Sequence, residues 1–176
     1  MPLCGVWAHD QVMPYCWNDY HLDWNVQAAY WPVCASNHLE LGQSLYETFW
    51  RMVPRFRENC RQFFGIDGLW TSSSIAINGA PMCGAKVDLK KRPEPHGWGP
   101  LGVFGAMLPW LTHNFWLHYR YSRDLGFLRD RVKPLLRGCW QVYVHLLEKG
   151  DDGRLHLPLS HSPEYIANHL EFLSNK

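Results

Sequence analysis

The sequence predicts an all-α protein built of helical hairpins with long loops between them, and three observations carry that prediction. Two segments, Leu39 to Phe64 and Asp124 to Leu146, place apolar residues at helical spacing. Glycine and proline punctuate the chain where those helices would stop. No stretch shows a convincing strand pattern.

Taken in order, residues 1–20 are broken by Pro2, Gly5 and Pro14 and read as a lead-in loop or short extended piece. A helix is expected from about His21 to Ser36, capped by Asn18 or Asp19, with Leu22, Val26 and Tyr30 facing inward. Pro32 should kink or end it. The next stripe is Leu45, Phe49, Met52, Val53, Phe56, Cys60 and Phe63, interrupted at Pro54 and stopped at Gly65. Residues 66–98 read as a long loop, marked by Asp67-Gly68, the Thr71 to Ser74 run and Asn78-Gly79. Loops of that length are usually functional or disordered, and Trp70 and Trp98 favour function. Leu101 to Arg123 forms a further helix with Phe104, Leu108, Leu111, Phe115 and His118 or Tyr119 on one side. Asp124 caps another, whose seam is Leu128, Val132, Leu135, Leu136, Cys139, Tyr143 and Leu146. A turn at Gly150 to Gly153 and a short extended piece over Arg154 to Leu159 follow. Ser162, Pro163 and Glu164 then open a last helix as N-cap, first position and first-turn carboxylate. That helix reaches Lys176 without a cap, as in a chain cut short.

With 176 residues the chain suits one domain with a sizeable core. Ten tryptophans are more than a core comfortably holds, since each buried indole N–H needs a partner; a ligand surface is implied as well. A net charge of +1 and no concentrated Lys/Arg tract exclude a nucleic-acid partner, and the Lys86 to Arg92 run is a solvated loop. Six scattered cysteines form no Cys-x-x-Cys pair and are read mostly as free, small core residues. No basic and apolar leader opens the chain, and the stretch Gly97 to Tyr119, although free of Asp, Glu, Lys and Arg, carries too many glycines, prolines and polar groups for a membrane span. The chain reads as soluble, with no membrane partner. The histidines show no helical pairing with a carboxylate of the kind metal ligation uses, so neither a metal nor another cofactor is expected.

The densest chemistry lies between Trp17 and Trp31, where rings, carboxylates and amides alternate. Aromatic faces stack on the C–H faces of a pyranose while carboxylates and amides bond its hydroxyls, so this stretch could floor a sugar site; an aromatic-rich core helix is the plainer reading. Asp19, Asp23 and Asn25 fit the first better, because carboxylates are rarely buried without partners. His21 is a pocket residue or a core histidine. Glu164 is a candidate acid or simply a carboxylate that complements a helix N-terminus.

Several segments together resemble glycoside hydrolase family 95, which contains α-L-fucosidases and α-L-galactosidases. Gly5-Val6-Trp7, the run Trp17 to Gln27 and Tyr30-Trp31-Pro32 resemble the opening of its catalytic domain. Trp116 to Gly138 resembles the hairpin before its catalytic acid, and Ser160 to Tyr165 resembles the acid's own motif. Asp23 stands where members commonly carry the first Asn of Asn-x-Asn, Thr71 to Ile75 stands for His-His-Asn-Thr-Asp, and Tyr165 for Asn. The resemblance implies an (α/α)6 toroid, of which residues 1–176 would be a single partial domain, the first half, with the remainder of the toroid as its partner in a longer chain. It further implies an inverting glycosidase with Glu164 as general acid and an oligosaccharide or glycan as substrate. Asn25 would be the base, working with a later carboxylate; Asp23 is an alternative base or a substrate hydroxyl acceptor. Substrate-binding candidates are Trp17, Tyr20, His21 and Trp24 in the first stretch, Trp70 and Trp98 in the long loop, and His161 beside Glu164. Two other readings remain: a non-catalytic or vestigial carbohydrate-binding fragment, and a helical interaction module of the solenoid type, although no fixed repeat period is evident.

Overall fold

The computed structural model describes residues 19–81 and 107–156. In chain order, β1 (Tyr20–His21) leads into α1 (Asn25–Ala35), and a 3-10 turn over Leu39–Gly42 precedes α2 (Gln43–Arg51) and α3 (Val53–Phe64). β2 (Ser74–Ile75) returns to β1; α4 (Met107–Ser122), α5 (Leu125–Phe127), a π turn over Leu128–Val132 and α6 (Lys133–Leu146) follow. A small hairpin of β3 (Glu148–Lys149) and β4 (Leu155–His156) comes last. The described residues are thus mostly helical, with α4 packed against α1, the π turn and α6. None of these helices is long and apolar enough to cross a membrane.

One core cluster joins nearly every element. Leu22 and Val26 meet Leu45, Phe49 and Phe56 from α2 and α3, Leu108, Leu111 and Phe115 from α4, and Val132, Leu135 and Cys139 from the π turn and α6. Phe56 and Phe115 are fully buried, each worth roughly 2–3 kcal/mol by the area it removes from water. A second cluster, Cys60, Phe64, Trp70 and Val142, closes the α3–α6 end. Cys34, Cys60 and Cys139 are free and buried, as read from sequence. Burial pushes all three thiols up, Cys139 to about 12, so none is a thiolate nucleophile.

Several local signals act as expected. The α2–α3 run breaks at Met52, and Pro54 falls in the first turn of α3, where a missing N–H costs nothing. Gly65 ends α3 at φ +71°, a left-handed position that glycine occupies without penalty. The Asp124 carboxylate accepts the Phe127 N–H at 2.9 Å and caps α5. The Gly150 to Gly153 turn is present, with Gly150 N–H donating to Arg154 O at 2.8 Å.

Other expectations are corrected. The helix expected from His21 begins four residues later, at Asn25, with Trp24 rather than Asn18 or Asp19 at the N-cap. The cause is strand pairing: Tyr20 opposes Ile75 and His21 opposes Ser74, and the Leu22 N–H donates to Ser73 O at 2.6 Å. Pro32 does not end α1, which continues to Ala35 before Asn37 turns left-handed at φ 61°. The part of the long loop that is described, residues 66–81, is pinned rather than loose. Leu69 N–H donates to Gly138 O at 2.9 Å and Trp70 N–H to Phe56 O at 3.2 Å, and Thr71 to Ser74 are all buried. Along the π turn and α6 the inward seam is Val132, Leu135, Cys139 and Val142, with Gly138 beside it; Leu136 points to solvent, one residue and ~100° off that line.

Candidate active site

Asp19 and His21 fall on one side of β1 because side chains alternate along a strand, and Asp23, in the turn that follows, approaches the same imidazole. Tyr20 and Leu22 take the other side: Tyr20 packs edge-on against Phe49 at 5.4 Å, and Leu22 is fully buried in the core. Asp19 Oδ1 lies 2.9 Å from His21 Nδ1, and His21 Nε2 lies 3.8 Å from Asp23 Oδ1. Asp19 is 3% exposed, and the side chains of His21 and Asp23 are 15% and 11% exposed. A carboxylate only accepts, so the Asp19 contact places a proton on Nδ1.

The backbone beneath is held at both faces of the Leu22 peptide. Its N–H is taken by Ser73 O, and its carbonyl accepts Gln27 Nε2 at 2.5 Å. Gln27 is in turn tied to α4, its backbone carbonyl accepting Asn114 Nδ2 at 3.3 Å, and both amides are buried. Asp23 therefore hangs from a junction braced by α1, α4 and β2. Gln27 and Asn114 were not singled out in the sequence, where each reads as an ordinary helical polar residue. Asp19 is read from the sequence both as a cap and, with Asp23 and Asn25, as part of a sugar site; its bond to His21 is signalled there only by the polar–apolar alternation over Asp19 to Asp23, too short to stand out against the helical stripe that follows.

Asn25 opens α1 and is partly buried. Trp24 beside it is 54% exposed and begins a surface strip of indoles, with Trp31 at 6.5 Å and Trp110 a further 6.3 Å on. Trp70 is placed differently from a ring offered to a sugar: it is 4% exposed, with Phe63 at 4.5 Å and Phe64 at 5.7 Å. Tyr20 likewise gives its ring to the core through Phe49. Trp17, Trp98, His161 and Glu164 lie outside the described residues, and so does the separation of Glu164 from Asp23. His156 does meet a carboxylate four residues away, Asp152 at 2.9 Å, but across the hairpin turn and not along a helix. Among the described residues no group of three or more His, Cys, Asp or Glu side chains is placed to hold a metal.

Asp23 and Asn25, both partly buried, flank the exposed Trp24 in sequence, and these are residue types with which a polyhydroxylated ligand is bound. The chain is 30% identical over 168 residues to α-L-fucosidase 2 of Arabidopsis thaliana, covering 93% of this chain and 18% of that protein. It is 28% identical over 171 residues to the probable α-fucosidase A of Aspergillus niger, covering 93% of this chain and 20% of that one. It thus spans about a fifth of the length of the curated relatives it matches. No solved structure matches it significantly. Residues 1–172 match the glycosyl hydrolase family 95 catalytic domain, and the chain belongs to that family.

Proposed function

We propose that this chain supplies the first half of an (α/α)6 glycosidase domain that hydrolyses α-linked L-fucosyl or L-galactosyl-type glycosides with inversion. The observation that carries the reading is the family match over residues 1–172, and the names of both relatives, α-fucosidases, support the sugar class. Glu164 is the general acid that protonates the leaving oxygen. The carboxyl on the opposite ring face takes a proton from the attacking water, with ~6.5–9.5 Å between the two carboxyls to admit that water. Asp23 fills the second role, or binds a substrate hydroxyl while Asn25 orients the water. A carboxylate needs no helper to act as base, whereas an amide does.

The test uses the full-length protein with aryl and unactivated α-L-fucosides and α-L-galactosides. Glu164→Gln should lower kcat for the unactivated glycoside by about 10²–10⁴-fold and for an aryl glycoside far less, because a good leaving group needs little protonation. Asp23→Asn should be as damaging as Asp23→Ala if Asp23 is the base. Activity kept in Asp23→Asn and lost in Asp23→Ala moves Asp23 to hydroxyl binding. Proton NMR of the first-formed sugar should show the β anomer; an α anomer rejects inversion.

A further inference from the structure

We propose that Asp19 is a positioning residue of this site: its buried carboxylate holds the His21 imidazole by Nδ1–H and so sets Nε2 as the nitrogen that faces Asp23. The proposal rests on the reading that Asp23 lines the reaction pocket.

Burial comes first. Asp19 is 3% exposed, and a carboxylate taken that far from water needs a specific partner to stay charged. Helix capping does not supply one, since α1 starts at Asn25 and Trp24 holds the cap position. Among the contacts of Asp19 in the described residues, the His21 bond at 2.9 Å is of full hydrogen-bond quality. The backbone then makes the geometry reproducible. His21 is registered against Ser74, and Leu22 is held through both its N–H and its carbonyl, so the residue between Asp19 and Asp23 cannot twist away without breaking these bonds.

The chemical consequence lies in the tautomer. With Nδ1–H committed to Asp19, a neutral His21 turns a lone pair toward Asp23, 3.8 Å away, and a protonated one turns an N–H toward it. A proton taken from water by Asp23 passes to Nε2 once the 3.8 Å separation closes to hydrogen-bond reach; the imidazolium formed is balanced by Asp19, and the Asp23 carboxylate is restored. Without Asp19 the ring is free to present Nδ1–H or Nε2–H indifferently, and that exchange loses its fixed acceptor. This is the same logic by which a carboxylate behind a histidine fixes the tautomer in hydrolytic triads.

The first experiment is the His21 tautomer, read from long-range proton–nitrogen correlation spectra of the imidazole-labelled 176-residue chain. The expected result is a pyrrole-type Nδ1 and a pyridine-type Nε2 at neutral His21, with that preference lost in Asp19→Asn. The second is kinetic, in the full-length protein. Asp19→Asn should lower kcat by about 10–100-fold with KM within about twofold. In a His21→Gln background it should add less than about twofold, because Asp19 acts through His21. An Nε2–H tautomer in the unmodified chain overturns the proposal, which keeps it testable even if Asp19→Asn does not fold. Losses from Asp19→Asn and His21→Gln that simply multiply also overturn it. Full activity in Asp23→Asn would remove Asp23 as base while leaving the tautomer result standing, so the two readings fail separately.

Discussion

Gly138 sits inside α6, where alanine in place of glycine ordinarily strengthens a helix by up to ~1 kcal/mol. Here a Cβ would lie 2.3 Å from Leu69 Cγ and 2.9 Å from Leu69 Cβ, and the Gly138 carbonyl already receives the Leu69 N–H. Leu69 is buried and its backbone is tied, so it cannot step aside. Overpacking of that kind costs about 1–3 kcal/mol and outweighs the gain in propensity. Gly138→Ala should therefore lower the urea midpoint of unfolding; a raised midpoint would mean that the residue 69–70 segment does not seat against α6. The same contact explains Trp70. Once Leu69 is fixed on α6, the next side chain is carried between Phe63 and Phe64. A lone Trp in a polar stretch looks like a ligand ring when only its sequence neighbours are visible, because the rings that cover it come from α3.

At the scale of elements, the helix boundaries set by groups within a few residues were legible, and the start of α1, set by a distant strand, was not. Asp124, Pro54 and Gly65 act through groups within four residues of themselves, so their effects are written locally. Asp124→Ala should cost about 1 kcal/mol, the usual worth of an N-cap, and lower the thermal midpoint without changing the helical content measured by circular dichroism. No change in the midpoint would show that the α4–α5 corner is held by packing alone. The helix start reads early because Leu22, Val26 and Tyr30 do fall at helical spacing, while the strand before them spans only Tyr20–His21. The partner that makes the strand prevail, Ser74–Ile75, lies far along the chain. On α6 the π turn precedes the seam, and Leu136, apolar and correctly spaced from Val132, still turns outward.

Across the whole molecule, apolar surface is left open on α6. Leu136, Trp140 and Val144 recur every four residues and are 43%, 61% and 53% exposed, forming one stripe on the side away from Leu135 and Cys139. A stripe with a Trp at its centre favours association in water. The isolated 176-residue chain is expected to self-associate as its concentration rises, and Trp140→Glu should shift it toward monomer with an unchanged melting temperature. Sedimentation velocity on both chains measures this, and identical sedimentation would count against the stripe as the cause. Around Trp24 the surface has a different character, since there the exposed indole lies between Asp23 and Asn25 in sequence.

By itself the sequence determined the helical class, the stop at Gly65, the free buried cysteines and the family, because each depends on spacing or motif within a short window. Only the tertiary structure decided that Asp19 is buried against His21, that Tyr20 and Trp70 serve the core, and that Gly138 must remain without a side chain. Each of these depends on which surface of a distant segment arrives, through β1–β2 pairing or the seating of Leu69 on α6. Contacts of that range are selected by the burial of the whole core, and no local pattern of residues records them.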